Sequence, residues 1–553
     1  MNKRRSAQCV LAVMLIGIVS LSGCNAHLPG PSYTDIDVPQ AKLRQIDTLQ
    51  LEAAEPDEAP MVDVNEAPPA ELALTLEECR ALALSNNLEL KAELISPTIA
   101  AERLSEEEAK FEASFFANAT VSKYEQPGRT VVLGDGTLFT AAPDKTEQTA
   151  ADLGVSLPLR TGGQVSFDLA DNRYNSLTGD PNVNPTFDNM FAVSFSQPLL
   201  RNAGRWANMH SIRVARYDHQ AADARAKLEV ITVLAAIDRV YWRLYAARRE
   251  LDVRKQQYDL AQAQLEQARR FVDLGERAQV EVIRAEAGVA QQLEAIIIAE
   301  NNLRDREREL KRVINKAGLD MQTPTTLVPQ TEPDPILYDM ERSELVRTAL
   351  DSRVELVELQ LQLLRDASTV DYTRNQALPL ATLNYSYNIS GAGLARSDSY
   401  DMLYTSDFTG HRLGAQMVIP IGNEAAKSRI RQAIYQRRQR LANRNDREAM
   451  IELEVLNAID QVEANWQRIL AARQNSILNG RLYEAEKRQF ELGARTSTDV
   501  LDAQTTFANA QSAEISALTE YQIALVDLAY ATGTILGAAH IQWAPIVPAG
   551  VAP

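Results

Sequence analysis

At 553 residues the chain is longer than a single hydrophobic core usually fills, so two domains or a repeat architecture are expected. The formal net charge is −17 at pH 7, which argues against nucleic acid, whose binders concentrate Lys and Arg. Apolar residues make up 45% of the chain, ordinary for a folded protein and too many for a disordered one.

Lys3, Arg4 and Arg5 precede an apolar run from Val10 to Leu21. About a dozen residues suits a signal peptide and is too short to span a bilayer as a helix. The run ends in Leu21-Ser22-Gly23-Cys24, which looks like a bacterial lipobox. Residues 1–23 are therefore read as a lipoprotein signal peptide, with Cys24 left as the lipid-bearing N-terminus. The alternative is an ordinary signal peptide with a chance cysteine. Cleavage removes three positive charges and no negative ones, leaving −17 − 3 = −20. Asn25 rather than Asp follows Cys24, similar to the outer-membrane sorting signal of proteobacterial lipoproteins. Cys9 leaves with the signal, so Cys79 stands alone and no intrachain disulfide is expected. Cys79 lies beside Leu76, Leu82 and Ala83 in a helical pattern and reads as a small buried apolar residue.

Residues 24–73 carry Pro29, Pro31, Pro39, Pro56, Pro60, Pro68 and Pro69 among scattered acids, a tether composition. Beyond it the chain divides into repeat one (74–317), a Pro-rich connector (318–340), repeat two (341–537) and a tail (538–553). The register supports the duplication. Ala83-Leu84 and Glu89-Leu90 recur as Ala349-Leu350 and Glu355-Leu356, an offset of 266. Ile212-Arg213 and Leu274-Gly275 recur as Ile430-Arg431 and Leu492-Gly493, an offset of 218. The 48-residue difference falls in the middle of repeat one, in a β-like region.

That region alternates with period two, the sign of strands with two unlike faces. Ala117, Ala119 and Val121 alternate with Asn118, Thr120 and Ser122. Leu153–Leu159, Val165–Leu169 and Phe191–Phe195 follow the same rule, as do Leu383–Ile389 and Leu413–Ile419 in repeat two. Gly134-Asp135-Gly136 marks a hairpin tip. Nine of the twelve Phe fall in 111–198 and 379–420, a bias that suits a lipid-facing surface. A half-buried soluble sheet would alternate in the same way. The segment lengths, close to the 9–11 residues of a tilted spanning strand, and the lipobox favour a membrane barrel. Four to six strands cannot close around a lumen, and open edges cannot sit in lipid, so several chains must share one barrel.

The helical parts are proline-free over 199–323 and 421–544. Val230, Ile237, Leu244, Leu251, Tyr258, Leu265 and Val272 recur every seven residues, and Val282, Val289, Ile296, Leu303 and Leu310 do so after Gly275. Sustained heptads predict antiparallel coiled-coil pairs that turn at Gly275 and at Gly493. Residues 205–272 predict a helix of roughly 100 Å, and the shorter helices 75–110 and 278–316, stacked end to end, match that length.

Together these features resemble the TolC family of outer-membrane efflux proteins, in its lipoprotein branch. The resemblance covers about 74–535 and rests on the duplicated layout, on Ser196-Gln197-Pro198-Leu199 at a strand end, and on the Leu-Gly-x-Arg tips at 274–277 and 492–495. Thr496-Ser497-Thr498-Asp499-Val500-Leu501-Asp502 is its most specific stretch. It implies a mainly α protein with β: a TolC-like homotrimer, in which one shared outer-membrane β-barrel continues into a long periplasmic helical tunnel. It implies an exit duct of a tripartite efflux or type I secretion system, passive, with a periplasmic adaptor and an inner-membrane RND or ABC-type pump as partners. The family pattern has four strands per chain. Here 151–172, with a turn at Arg160-Thr161-Gly162-Gly163, reads as an additional hairpin, leaving twelve or eighteen strands for a trimer.

At the tips, Gly275 and Gly493 allow a left-handed turn, and Thr496-Ser497-Thr498 caps the next helix. Asp499 and Asp502 share a helical face, so three chains would carry two stacked carboxylate rings that attract cations. The resemblance implies that Asp499 and Asp502 form the periplasmic entrance ring and that Arg495 and Glu281 help hold it shut. It also implies that Leu274, Gly275 and Arg277, with Leu492, Gly493 and Arg495, form the adaptor-docking tips. Plainer readings exist: an acid in a first helical turn is favoured anyway, and Arg495 could simply pair with Asp499 on the surface. Scattered histidines, with His210 and His219 on different helical faces, give no metal site, no cofactor motif is present, and no enzyme is expected. The rival readings are a non-porous envelope-spanning coiled-coil lipoprotein, which has no use for alternating strands, and a periplasmic enzyme, which lacks a convergent polar site.

Overall fold

A computed structural model of the chain describes residues 71–544 apart from 129, 133, 135, 141–142 and 178–180. The signal peptide, Cys24, residues 25–70 of the tether, Asp135 of the hairpin tip and the tail beyond 544 lie outside the described residues. Strand β1 (Glu71–Leu74) leads into α1 (Leu76–Asn86), which opens on a capping box: the Thr75 hydroxyl accepts from Glu78 N–H and the Glu78 carboxylate accepts from Thr75 N–H. The single helix expected over 75–110 is in fact three. Asn87 is extended and its side chain accepts from Leu90 N–H while donating to the Val313 carbonyl, so α2 (Leu88–Glu93) starts afresh. Pro97, which lacks an N–H, sits in the first turn of α3 (Ser96–Ala109).

Six strands then form one antiparallel sheet. Repeat one supplies β2 (Ser114–Gln126), β5 (Asp144–Pro158), β6 (Gln164–Ser176) and β7 (Thr186–Pro198), with the small hairpin β3 (Thr130–Val132) and β4 (Leu138–Thr140) as an excursion. Repeat two supplies β9 (Leu380–Gly393) and β10 (Thr409–Val418). The order is β10-β9-β7-β6-β5-β2. The additional hairpin is thus real: Leu159 N–H donates to the Gly163 carbonyl across a turn in which Gly162 takes φ +89°. Within this sheet repeat one has two strands more than repeat two, and these with the β3–β4 excursion lie where the 48-residue difference in offset falls.

Opposed residues in adjacent strands share a face. Phe115, Val155, Phe167, Val193, Tyr387 and His411 form one row across all six strands. Leu157, Val165, Phe195, Tyr385 and Leu413 form the neighbouring row on that face. On the opposite face Ser114, Ser156, Ser166, Ser194, Ser386 and Arg412 lie side by side. The polar face is hollowed into a cavity of about 370 Å³ lined by Ser166, Ser194, Ser196, Asn384, Ser386 and Arg412. The two end strands, β2 and β10, run antiparallel to one another, because every step of the meander reverses direction.

Below the sheet, α4 (His210–Asp273) is 64 residues long, about 96 Å at 1.5 Å per residue. α3 and α5 (Val280–Ile314) pack on α4, and α1 touches both α4 and α5. In repeat two, α6 (Arg342–Ser352), α7 (Val354–Gln376) and α10 (Ser497–Ala531) pack on α9 (Glu424–Glu491), which has 68 residues. α7 and α10 also pack on α4, which joins the repeats. A short helix, α8 (Arg396–Thr405), packs on β9 and β7. No described helix is long and apolar enough to cross a membrane.

The main core is a belt around the middle of α4, where Leu234, Ile237, Tyr241 and Leu244 meet Cys79, Ala83 and Leu90 from one side and Leu310, Ile314 and Leu327 from the other. Cys79 is fully buried, and that burial pushes its thiol up to about 12. The connector is more than a linker: its strand β8 (Thr326–Pro329) pairs in parallel with β1 under this belt. Tyr241 ties the two together, accepting from Thr331 N–H at 2.8 Å and donating to the Leu74 carbonyl at 3.4 Å. Arg80 grips the buried Asp238 with two bonds of 2.8 and 2.7 Å. Tyr241→Phe therefore orphans the Thr331 amide and is expected to lower stability by about 1–2 kcal/mol, read in denaturation, with the fold retained.

Candidate gate and docking tips

Both tips are built alike, and the cause is local. At the first, Gly275 takes φ +76°, its N–H donates to the Val272 carbonyl and Glu276 N–H donates to the Phe271 carbonyl. At the second, Gly493 takes φ +81°, its N–H donates to the Phe490 carbonyl and Ala494 N–H donates to the Gln489 carbonyl. This pair of bonds is the Schellman ending, which needs a left-handed residue that glycine adopts without strain. Each tip leaves its apical leucine bare: Leu274 is 72% exposed and Leu492 84%. Apolar side chains held out at a rigid turn contribute nothing to the fold and are free to meet a partner.

Arg277 crosses from the first tip to the second. Its guanidinium donates to the carbonyls of Phe490 (3.3 Å) and Arg495 (3.4 Å) and lies over the Phe490 ring at 5.3 Å. Phe490 is buried and meets Phe271 edge-on at 6.1 Å. Arg495 pairs with neither Asp499 nor Asp502. Its Nε donates to Gln489 and lies 3.1 Å from a Glu486 carboxylate oxygen, so it braces its own hairpin.

Asp499 is the N3 residue of a capping box. Its carboxylate accepts from Thr496 N–H at 2.9 Å and from the Thr496 hydroxyl at 2.8 Å. The backbone amide of Thr496, with its hydroxyl second, holds the Asp499 carboxyl below its ordinary value. A depressed carboxylate stays charged above the ordinary range and loses its cap only as pH falls through the lowered value. Asp502, three residues on, is exposed and lies on the same helical face.

Glu281 is buried, unlike the two aspartates. One carboxylate oxygen accepts from Ser497 N–H at 3.0 Å and the other pairs with Arg284 at 2.8 Å. The acid of α5 thus caps the first turn of α10 from the other repeat, where a negative charge is favoured. Gln264 of α4 donates to the Ser497 carbonyl and hydroxyl at 3.2 and 3.1 Å. Further up, Gln504 donates to the Gln257 carbonyl at 2.8 Å. Sequence reasoning did not single out Gln257, Gln264, Gln504 or Phe490. The signal was available: Gln257 and Gln264 are seven residues apart, as are Gln504 and Gln511, a heptad of amides inside heptads of apolar residues.

The structure brings Glu281, Gln264 and Ser497 into one buried cluster, and Arg277, Phe490 and the Arg495 carbonyl into a second at the tip. No described group of three or more His, Cys, Asp or Glu side chains could hold a metal ion.

A family model described as outer membrane efflux protein matches residues 164–316 and 345–534. A 347-residue stretch is 21% identical to the outer membrane protein TolC of Vibrio cholerae, covering 62% of this chain and 76% of that one. The fold is similar to the CmeC outer membrane channel of Campylobacter jejuni (TM-score 0.60, 16% identity, 83% of this chain and 85% of the other). It is also similar to the open state of the MtrE outer membrane channel of Neisseria gonorrhoeae (TM-score 0.56, 15% identity, 83% and 88%).

Replacing Glu281 by Ala leaves the buried Ser497 amide without its acceptor. The expected cost is about 1–3 kcal/mol, with faster amide exchange at Ser497 and little change for Glu281→Gln, which keeps an acceptor oxygen.

Proposed function

The chain belongs to the outer membrane efflux protein family, and from that premise we propose that it is the exit duct of a tripartite efflux or type I secretion machine. Three copies complete one barrel and one tunnel. A periplasmic adaptor grips the Leu274 and Leu492 tips, and an inner-membrane RND or ABC-type pump supplies the energy. Cys24 carries the lipid that fastens the tether to the outer membrane.

The observation that carries this reading is the sheet. One face is apolar across six strands, the other is a row of serines, and both end strands have a free edge. A soluble sheet with this layout would bury its apolar face against a second layer, yet here Leu153, Phe115, Phe167 and Leu413 are 44–72% exposed. In lipid the apolar face is covered, the serines face water in a lumen, and the edges of β2 and β10 pair with β10 and β2 of neighbours. Their antiparallel directions make that closure regular.

Three copies of six strands make eighteen. At ~4.8 Å between strands and a tilt of about 40°, eighteen strands enclose a ring about 36 Å across and twelve about 24 Å. Four helix columns per chain (α3 with α5, α4, α7 with α10, and α9) make twelve columns per trimer, and at ~10 Å each they enclose about 38 Å. Six strands per chain therefore match barrel to tunnel at an ordinary tilt. The exposed Ile283, Ile297 and Ile298 of α5 and Leu453, Leu470 and Ile477 of α9 are the surfaces that neighbouring chains cover.

Asp499 and Asp502 point to a cation-attracting constriction at the far end of the duct. In planar bilayers the purified protein is expected to give cation-selective steps, and Asp499→Asn with Asp502→Asn is expected to lower that selectivity several-fold. Because Asp499 is held below the ordinary carboxylate range, selectivity persists down to mildly acidic pH. A protein without conductance would contradict the duct, and unchanged selectivity in the double variant would contradict the ring.

A further inference from the structure

We propose that Gly288 is a positioning residue for the periplasmic gate: it seats Leu501 of α10 and so sets how close the second hairpin lies to the first. This rests on the reading of Asp499 and Asp502 as that gate. Glycine is a poor residue in a helix interior, and Gly288 stands in the body of α5. Its backbone there is ordinary and needs no glycine. What excludes a side chain is space: a Cβ on Gly288 would lie 2.8 and 3.0 Å from the two methyl carbons of Leu501. A Cβ there would force the half-buried Leu501 side chain to shift, so Leu501 is a knob and Gly288 its hole.

Leu501 lies between Asp499 and Asp502 in the chain, so its seating fixes the turn that carries both carboxylates. The seat exists once. The 218-residue offset carries Leu501 back to Ile283, which is 59% exposed, and Gly288 forward to Thr506, whose hydroxyl bonds its own helix at the Asp502 carbonyl. The two hairpins are therefore unequal: the second rests on the first and has no matching seat to offer within the chain.

Above the Glu281 cap the seam resists separation weakly. Between α4 and α10 it runs through buried amides, and the side-chain oxygens of Gln257 and Gln504 have no hydrogen-bond partner in the protein. Water entering as the hairpins part would satisfy them, which offsets part of the loss of contact. An apolar knob with no such compensation adds to the Glu281 cap in holding α10 down.

The test is a double-mutant cycle on the full-length protein in planar bilayers, with thermal midpoints measured in parallel. Gly288→Ala is expected to raise basal conductance several-fold over wild type by displacing Leu501 from its seat. Leu501→Ala, a milder change that removes the knob, is expected to raise it as well and to keep the proposal testable if Gly288→Ala does not assemble. In the Leu501→Ala background, Gly288→Ala should have no further effect. A purely structural role would move the midpoints and leave conductance alone. Wild-type conductance in both single variants, or an equal increment from Gly288→Ala with and without Leu501, would overturn the proposal. A wild-type protein that never conducts would remove the gate reading and the inference with it.

Discussion

Every backbone N–H and C=O that lies in hydrocarbon must find a partner inside the protein, because no water is there to serve. The six-stranded sheet meets this demand at four of its strands and leaves it unmet along one side of β2 and of β10. The rest of the architecture follows from that shortfall. A sheet with two open edges, an apolar face and a serine-lined face is stable in a membrane only as an arc of a larger ring. In the proposed trimer, helices that continue from the strands inherit the ring's symmetry. A tunnel needs no further device than the coiled-coil heptads that pair α4 with α5 and α9 with α10.

The waist and the tips of the molecule use opposite chemistry. The belt around Tyr241 and Leu234 is apolar, buried and closed over by β1 and β8, so it holds the helices of repeat one together, with Val354 and Ile535 joining it from repeat two. Toward the tips the contacts between repeats turn largely polar: Gln257, Gln264, Gln504 and Ser497, with Glu281 capping α10 across the seam, and the Phe271–Phe490 ring pair is the apolar exception at the turns. Apolar belts resist rearrangement, whereas amide seams can exchange partners with water at modest cost. The proposed duct, stable at its waist and movable at its mouth, would need that gradient. Arg495 stiffens its own turn, and Arg277 ties the first tip to carbonyls of the second.

Much of this was legible beforehand because strands and coiled coils write their periods into the chain. Leu153–Leu159 and Val165–Leu169 alternate strictly and became β5 and β6, and the glycine pair at 162–163 marked their turn. Gly275 and Gly493 marked the helix ends because no other residue suits φ near +80° there. The unbroken helix expected over 75–110 failed at Asn87 and Pro97, where a side-chain cap and a missing N–H outweigh a continuous apolar pattern. Strand β8 was hidden inside a proline-rich segment, and its pairing with β1 is a contact across about 250 residues that no local pattern encodes. Glu281 was tied to the mouth by resemblance alone. Its bond to Ser497 depends on the packing of one repeat against the other, as do the seats of Leu501 and Arg277.

The claim beneath all of this is that the edges of β2 and β10 are completed by other copies of the same chain. The direct measurement is disulfide cross-linking in outer-membrane vesicles, with one cysteine fixed at Ala119 in β2 and a second scanned from His411 to Ala415 in β10. The account predicts bonds between chains, with products that stop at three chain masses and a register that rises with period two along β10. Bonds formed only within one chain, or none at any position, would show that the sheet is closed or covered by something else.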